Sequence, residues 1–444
     1  MSALRESAAR DFGKAPQPGK LPGKPQAGRL PSLMKRKILI AIVGLVILSQ
    51  LPFAYRRYRL RRLRNAIQQL ATQRIPPTTE SDYADYKGAI HVHSFLGGHS
   101  DGNFAELISG AKANQLDFVI MTEHPQAEFD TSAMTLNGMH GGILFVNGNE
   151  VSTANGDRLL LIPGTSKAAG LSLQQTQEII NQQKAAGGLS FVAYPGESGN
   201  WQSTTADGIE VYNLFTNARE INPLLMFFDG LWSYRSYPDL MFANFFGRPN
   251  ENLKRWDDAV ANHRTLVAIA GNDAHSNVGL SLNDSSGQQW LGLKLDPYER
   301  SFRVVRTHVL IPKGQVLTRE VLMEAISKGR CYVSFDIFGD PAGFSFDAQD
   351  LAGNGFKASM GGRIPSVGHT RLAVKSPINC RFVLFRDGTM LEQKSGTNAD
   401  FTVDRPGRYR VEAYLDSLPA PAHGQPWIIS NPIYLDPVLT KSDQ

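Results

Sequence analysis

Cysteine is nearly missing from these 444 residues: Cys331 and Cys380 are the two present. A single pair can build neither a thiolate zinc cluster nor a disulfide framework, and it says little about redox compartment. The chain also lacks a phosphate-cradling P-loop and a serine nucleophile elbow; glycine pairs occur, but in no such context. Basic residues are in short supply where a nucleic-acid binder would need them. The formal charge of +5 is concentrated in the first 75 residues, and no basic surplus remains beyond them. Nucleic-acid partners, nuclease action and polymerase proofreading are therefore not expected.

Long apolar runs are scarce as well, with one exception. Ile38 to Tyr55, ILIAIVGLVILSQLPFAY, carries no charge and is closed by Lys35-Arg36-Lys37 before it and Arg56-Arg57 after it. Its length suits a bilayer span, and nothing before it could build a core to bury it. No small-x-small cleavage site follows, so an uncleaved anchor in membrane lipid is expected rather than a signal peptide. Lys and Arg flank both ends, so the positive-inside rule nearly cancels. A start at Met34 would give the leader MKRK, a cytoplasmic N-terminus and an exported catalytic domain, the arrangement expected of this single-pass protein. Residues 1–37 read as a basic disordered N-terminus, 38–55 as the transmembrane helix, and 56–85 as a basic juxtamembrane helix and linker. Within the last, RRYRLRRLRNAIQQLATQR is expected to lie along the membrane surface.

From residue 86 to 335 short apolar runs alternate with amphipathic stretches, the βα pattern of an α/β barrel or parallel sheet. Helices are expected at 103–114, 171–186 and 251–263. Six apolar runs end in polar residues: GAIHVH in His91 and His93, LDFVIMTEH in His124, GGILFVNGNE in Glu150, LSFVAYPGE in Tyr194 and Glu197, GIEVYN in Glu210 and Asn213, TLVAIAGNDAH in Asp273 and His275. In a barrel such strand ends converge on one mouth. His91 and His93, two apart on a strand, should face the same side and share a metal. A lone histidine at a strand end is most often structural. Here five of the ten histidines, His91, His93, His99, His124 and His275, fall at such ends or just beyond, among Asp101, Glu150 and Asp273. Imidazole with carboxylate suits zinc, manganese or iron, and a shared carboxylate allows two ions side by side.

These residues resemble the PHP (polymerase and histidinol phosphatase) metallohydrolases over about residues 86–335. The resemblance rests on His91-Val92-His93 with Ser100-Asp101-Gly102, Thr122-Glu123-His124, Gly148-Asn149-Glu150, Ala193-Tyr194-Pro195 and Asp273-Ala274-His275. It implies a distorted (β/α)7 TIM-like barrel with a multi-metal phosphoesterase centre. Carried over, His91 and His93 would hold one metal, Glu150 and Asp273 would contribute to it or bridge, and Asp101, His124 and His275 would hold another. Three departures qualify this. Glu123 stands where the family has Asp, tolerable if it supports His124 from behind. An inserted Gly-Gly-His stretches the spacing to Asp101 and lets His99 compete. Tyr194 replaces a ligand histidine, which favours two ions over three; the phenol either donates a hydrogen bond to substrate or packs at the mouth.

Residues 336–444 lose the helical signals and show short alternating runs, expected to form a small β-sandwich. The close, Pro426-Trp427-Ile428-Ile429-Ser430-Asn431-Pro432-Ile433-Tyr434, resembles the carbaryl-hydrolase-like (CehA/McbA-type) branch of the same family. The expected function is hydrolysis of a small-molecule ester, foremost a phosphoester, by a metal-activated water, with Glu123, Glu197 or Glu210 relaying protons and Tyr194 touching substrate. Carboxyl- or carbamate-ester hydrolysis is the alternative enzyme reading. A non-catalytic metal-binding membrane module is the alternative from another class.

Overall fold

A computed structural model describes residues 32–77, 81–197, 199, 201–219, 222–261, 265–283 and 289–437. Most of the expected disordered N-terminus thus lies outside the described residues. The chain separates into two compact units, Met1–Pro52 and Phe53–Gln444.

Helix Ser32–Gln73 contains the apolar run and is long and apolar enough to cross a membrane. Its side chains from Ile38 to Leu51 are largely exposed, Ile40 to 71%. The same helix continues through the arginine-rich stretch, where the expectation of a surface-lying helix needs correcting. Leu60, Leu63 and Leu70 are buried in the same apolar core as Trp201, Tyr237 and Leu240. An apolar stripe committed to the protein's own core is not free to enter headgroups.

In the second unit the strands are β1 Tyr83–Val92, β2 Phe118–Met121, β3 Gly138–His140, β4 Ile143–Val146, β5 Asn149–Ser152, β6 Arg158–Ile162, β7 Leu189–Ala193, β8 Gly208–Asn213, β9 Val267–Gly271, β10 Gly279–Asn283, β11 Gln289–Lys294, β12 Arg306–Pro312 and β13 Cys331–Ser334. After them come β14 Ser345–Asp350, β15 Lys357–Ser359, β16 Arg363–Pro365, β17 Thr370–Arg386, β18 Thr389–Val403, β19 Gly407–Tyr414, β20 Pro426–Ser430 and β21 Ile433–Asp436. β5 to β9 form one sheet in chain order, while β12, β1, β2 and β4 run side by side in another. Alternation sorts the side chains. Ile90, Ile120 and Leu144 share a core with Leu160, Phe191 and Ile269 of the other sheet. Ala89, Val119 and Phe145 face the opposite way, with Leu107 and Ala111 of helix Phe104–Ala113.

The distorted (β/α)7 barrel is met only in coarse form, as a mixed α/β fold with open sheets. β6 runs antiparallel to β5 and β7, and β12 antiparallel to β1. The two sheets stay open, and isolated bridges at Val92–Ala274 and Glu123–Asn149 link them. Both bridges fall among residues singled out above, so the seams themselves gather the site. The helices appear near their expected places, at Phe104–Ala113, Thr176–Ala185 and Asn250–Ala261, with Ala168–Leu173 as a separate 3-10 turn; residues 262–263 of the third lie outside the described residues.

The C-terminal strands are antiparallel apart from the β16–β21 pair, but they extend the sheet of β12, β1, β2 and β4: Tyr332 of β13 pairs with Ser430 of β20. The sheet therefore runs unbroken across the expected 335/336 boundary. Two of the short alternating runs, TRLAVKS and CRFVLFRDG, fall in one strand, β17, whose register against β18 shifts between Lys375 and Cys380. Cys331 and Cys380 are buried free thiols.

Candidate metal centre

His91, Tyr194 and Asp273 share a backbone property that ordinary strands lack: positive φ, at 66°, 49° and 47°. Such values cost a non-glycine residue of order 1–3 kcal/mol each and persist where surrounding structure imposes them. At His91 the register of β1 against β2 also shifts, Ile90 facing Ile120 but Val92 facing Met121. A bulge of this kind re-aims side chains. His91 and His93 consequently meet, ring centroids 5.0 Å apart.

Two carboxylates form the poles of the centre. Glu150 Oε2 lies 3.2 Å from His91 Nε2, 3.4 Å from His93 Nε2 and 3.5 Å from His124 Nε2. Asp273 Oδ1 lies 3.5 Å from both His91 Nε2 and His93 Nε2 and 3.3 Å from His275 Nδ1. His93 stacks between His124 and His275, at centroid distances of 4.5 and 4.2 Å. Two overlapping donor sets result, His91, His93 and Asp273, and His93, His124 and His275, each with its ligand atoms within 4.8 Å of one another.

A metal fits these residues. Both ring nitrogens of His93 and Oδ1 of Asp273 are buried without a hydrogen-bond partner among the described residues, which would be costly in a site meant to stay empty of cations. Burial pushes the His93 imidazole down to about 3, and the neutral ring is the form that offers a lone pair. Burial works against charge on His91 too, but Glu210, Asp273 and Glu150 hold it well above its ordinary value. Although burial would raise both, the surrounding imidazoles, His91 foremost, keep Glu150 and Asp273 well below the usual carboxylate range.

Behind these groups stand residues that fix their orientation. Glu210 Oε1 meets His91 Nδ1 at 2.6 Å, and its other oxygen accepts from Asn213 Nδ2 at 3.2 Å. Gly271 makes room for it, since a Cβ there would come within 1.9 Å of Glu210 Oε1. Glu123 is fully enclosed, accepting from the Ser94 amide (3.0 Å), Ser94 Oγ (2.6 Å) and Thr135 Oγ1 (2.8 Å). The hydroxyl of Tyr194 donates to Asp273 Oδ2, and burial with the nearby carboxylates drives its pKa far up, so it stays a donor. Gly102 leaves space for Tyr298, whose hydroxyl donates to the carbonyl of His93 at 2.6 Å.

Of the residues expected at the site, His91, His93, His124, Glu150, Asp273 and His275 come together, backed by Glu123, Tyr194 and Glu210. Asp101 is exposed and outside both donor sets. His99, also exposed, meets His124 edge-on at 5.0 Å. Glu197 is exposed just beyond Tyr194.

Arg158 escaped the sequence reading. Its Nη1 lies 3.1 Å from Glu150 Oε1 and its guanidinium 5.4 Å from the centroid of the Tyr194 ring, while the side chain remains 43% exposed. Asn155-Gly156 between two apolar runs is a hairpin signal that would have returned Arg158 beside Glu150. Phe215, 5.7 Å from the His275 ring, was likewise not foreseen.

No protein-family model and no curated protein matches the chain. Solved structures it is similar to include a two-domain protein from Bacteroides vulgatus ATCC 8482 containing a predicted PHP-like metal-dependent phosphoesterase, at 16% identity over 80% of this chain and 97% of that one, TM-score 0.37. PsfC from Pseudomonas syringae PB-5123 aligns at 13% identity over 56% of this chain and 91% of its own, TM-score 0.37. Endonuclease Q, solved with a 27-mer duplex bearing an abasic lesion, aligns at 14% over 55% and 56%, TM-score 0.30. Likenesses this remote leave the chemistry to be read from the chain's own side chains. Those side chains make a cage of four imidazoles and two carboxylates, buried except for the partly exposed His124, and a candidate centre for divalent metal.

Proposed function

We propose that the chain is a membrane-anchored, metal-dependent hydrolase of the PHP kind, acting on a small-molecule phosphoester at a two-ion centre. The observation that carries the reading is the pair of overlapping donor sets that share His93, with Glu150 Oε2 against three of their imidazoles and the buried nitrogens of His93 left without hydrogen bonds among the described residues. His91, His93 and Asp273 would hold one zinc, manganese or iron ion; His124 and His275 would hold another, with Glu150 as the shared carboxylate.

Such ions supply Lewis acidity that polarises the scissile group and brings the pKa of water towards neutrality. The protein does the rest. Glu210 accepts a hydrogen bond from the Nδ1–H of His91 and so turns Nε2 inward. Tyr194, as a fixed donor, holds the Asp273 carboxylate. Glu123 has its hydrogen-bonding capacity committed to Ser94 and Thr135, which suits support of the His124 segment better than proton relay; exposed Glu197 remains the candidate relay. The half-exposed Arg158 guanidinium favours an anionic phosphoester over a neutral carboxyl or carbamate ester, because its planar fork matches phosphate oxygens. Residues 38–55 would anchor the protein in a single pass, with the body from residue 86 on the extracytoplasmic side.

The test is an assay of purified full-length protein against an aryl phosphate, an aryl phosphodiester and an aryl carboxylate ester, with each divalent metal in turn. Metal-dependent turnover of a phosphoester, abolished by chelator, is the expected result. Exclusive turnover of the carboxylate ester, or a protein that binds metal without turning over any of the three, would overturn it.

A further inference from the structure

Helix Pro223–Ser233 wears its residues inside out. Asp229 and Ser233, one turn apart, are about 1% exposed. Leu225, Phe227, Leu231 and Trp232 are 42%, 49%, 68% and 36% exposed. On a helix of 3.6 residues per turn, the i, i+4 pair Phe227 and Leu231 and the i, i+7 pair Leu225 and Trp232 flank Phe228, so the outward surface is continuously apolar. A helix bathed in water carries the reverse pattern. Contiguous exposed apolar surface marks contact with a partner or a membrane.

The neighbours of the helix say which. The Phe228 ring packs tilted against Phe53 with centroids 5.0 Å apart, Arg56 Nε donates to Asp229 Oδ1 at 2.9 Å, and Arg57 donates to the Trp232 carbonyl and, at 2.9 Å, to Ser236 Oγ. Residues 53–57 are where the apolar run ends and its arginine flank begins. If 38–55 spans a bilayer, they sit at the membrane surface by chain continuity, and whatever grips them sits there too. Tyr55 and Tyr58, 61% and 55% exposed, and Trp232 are the residue types enriched in that layer.

We propose that helix Pro223–Ser233 docks in the interfacial layer of the lipid bilayer as a second membrane contact. The inference rests on the anchored reading of residues 38–55. It also bears on the metal centre, because the chain runs from Asn213 beside Glu210 through Phe215 beside His275 into this helix. A bilayer-docked helix would hold the centre near the membrane surface.

The experiment uses the full chain in nanodiscs containing anionic phospholipid, spin-labelled through Leu231→Cys or, as an aqueous reference, Val316→Cys. Val316 is 76% exposed, and Cys331 and Cys380 are buried, so labelling should be confined to the introduced thiol. The label at 231 should be reached by oxygen and shielded from a water-soluble nickel complex, with the opposite preference at 316. Nickel reaching both positions equally would overturn the proposal, as would spin–spin broadening at 231 that reveals a second copy of the chain on this face. Retention of the protein in the membrane after alkaline carbonate tests the anchor separately, so failure of one reading is distinguishable from failure of the other.

Discussion

Glu210 and His91 are locked together: Oε1 and Nδ1 stand 2.6 Å apart, and both side chains are sealed from solvent. That contact decides which imidazole nitrogen faces the centre. Glu210→Gln keeps the shape and removes the charge. It should weaken metal binding about 10–100-fold, the usual effect of losing a carboxylate behind a ligand histidine, while the protein stays folded. Metal titration followed by elemental analysis checks this, and unchanged affinity would refute the positioning role.

Gly271 supplies the space for that contact, so Gly271→Ala forces a Cβ against Glu210 Oε1. The expected loss is about 1–3 kcal/mol of stability, as for other overpacked interiors, together with weaker metal binding. Adding Glu210→Asp, which shortens the crowding side chain, should recover part of the melting temperature. If the two substitutions destabilise additively, crowding is not the cause.

Tyr194→Phe removes a donor to Asp273 Oδ2, leaving Asn213 Nδ2 at 3.4 Å as the remaining donor to that oxygen among the described residues. Turnover should fall about tenfold or more while metal content holds, a loss confined to the reacting geometry. Tyr194→His, by contrast, should raise the metal stoichiometry if the position is a vacated ligand site. A variant in which turnover is untouched reduces the phenol to packing.

Arg158 should matter for phosphoesters and little for neutral esters. Arg158→Ala is expected to raise KM for an aryl phosphate about tenfold, the order of a charge-assisted hydrogen bond of roughly 1.5–3 kcal/mol. Lysine should rescue it only in part, since it lacks the planar fork. Equal effects on a carboxylate ester would show that Arg158 acts through Glu150 instead.

His308, away from the metal centre, is held between Asp85 at 2.9 Å and Asp336 at 3.2 Å. Burial opposes its charge, yet the two carboxylates raise it to about 10. A raised pKa contributes stability that is complete below the unfolded value of about 6.5 and is lost as pH climbs through about 10. The gap in melting temperature between wild type and His308→Gln should therefore be widest near pH 6 and narrow towards pH 10. A gap that widens instead would mean that the imidazole is neutral in the folded protein.

How much of this was legible beforehand follows the range of the interactions involved. The long apolar helix through 38–55, the α/β alternation and six of the clustered ligand-type residues follow from local pattern and residue type, because hydrophobic periodicity and strand-end position are properties of short windows. The pairing of His91 with His93 was foreseen from strict alternation, but the structure achieves it through a bulge and a positive φ that no window predicts. Arg158 reaches Glu150 only because β5 and β6 pair as a hairpin. Asp101 was expected at the centre, yet its loop leaves it in solvent. The fate of the arginine-rich helix was undecidable from sequence, since an apolar stripe serves membrane or core equally well; burial of Leu60 and Leu63 decided it. Sequence alone determined which chemical groups are available and roughly where the strands end. Tertiary structure alone decided which of them share a few ångströms, because burial, register and bridges such as Val92–Ala274 depend on residues far apart in the chain.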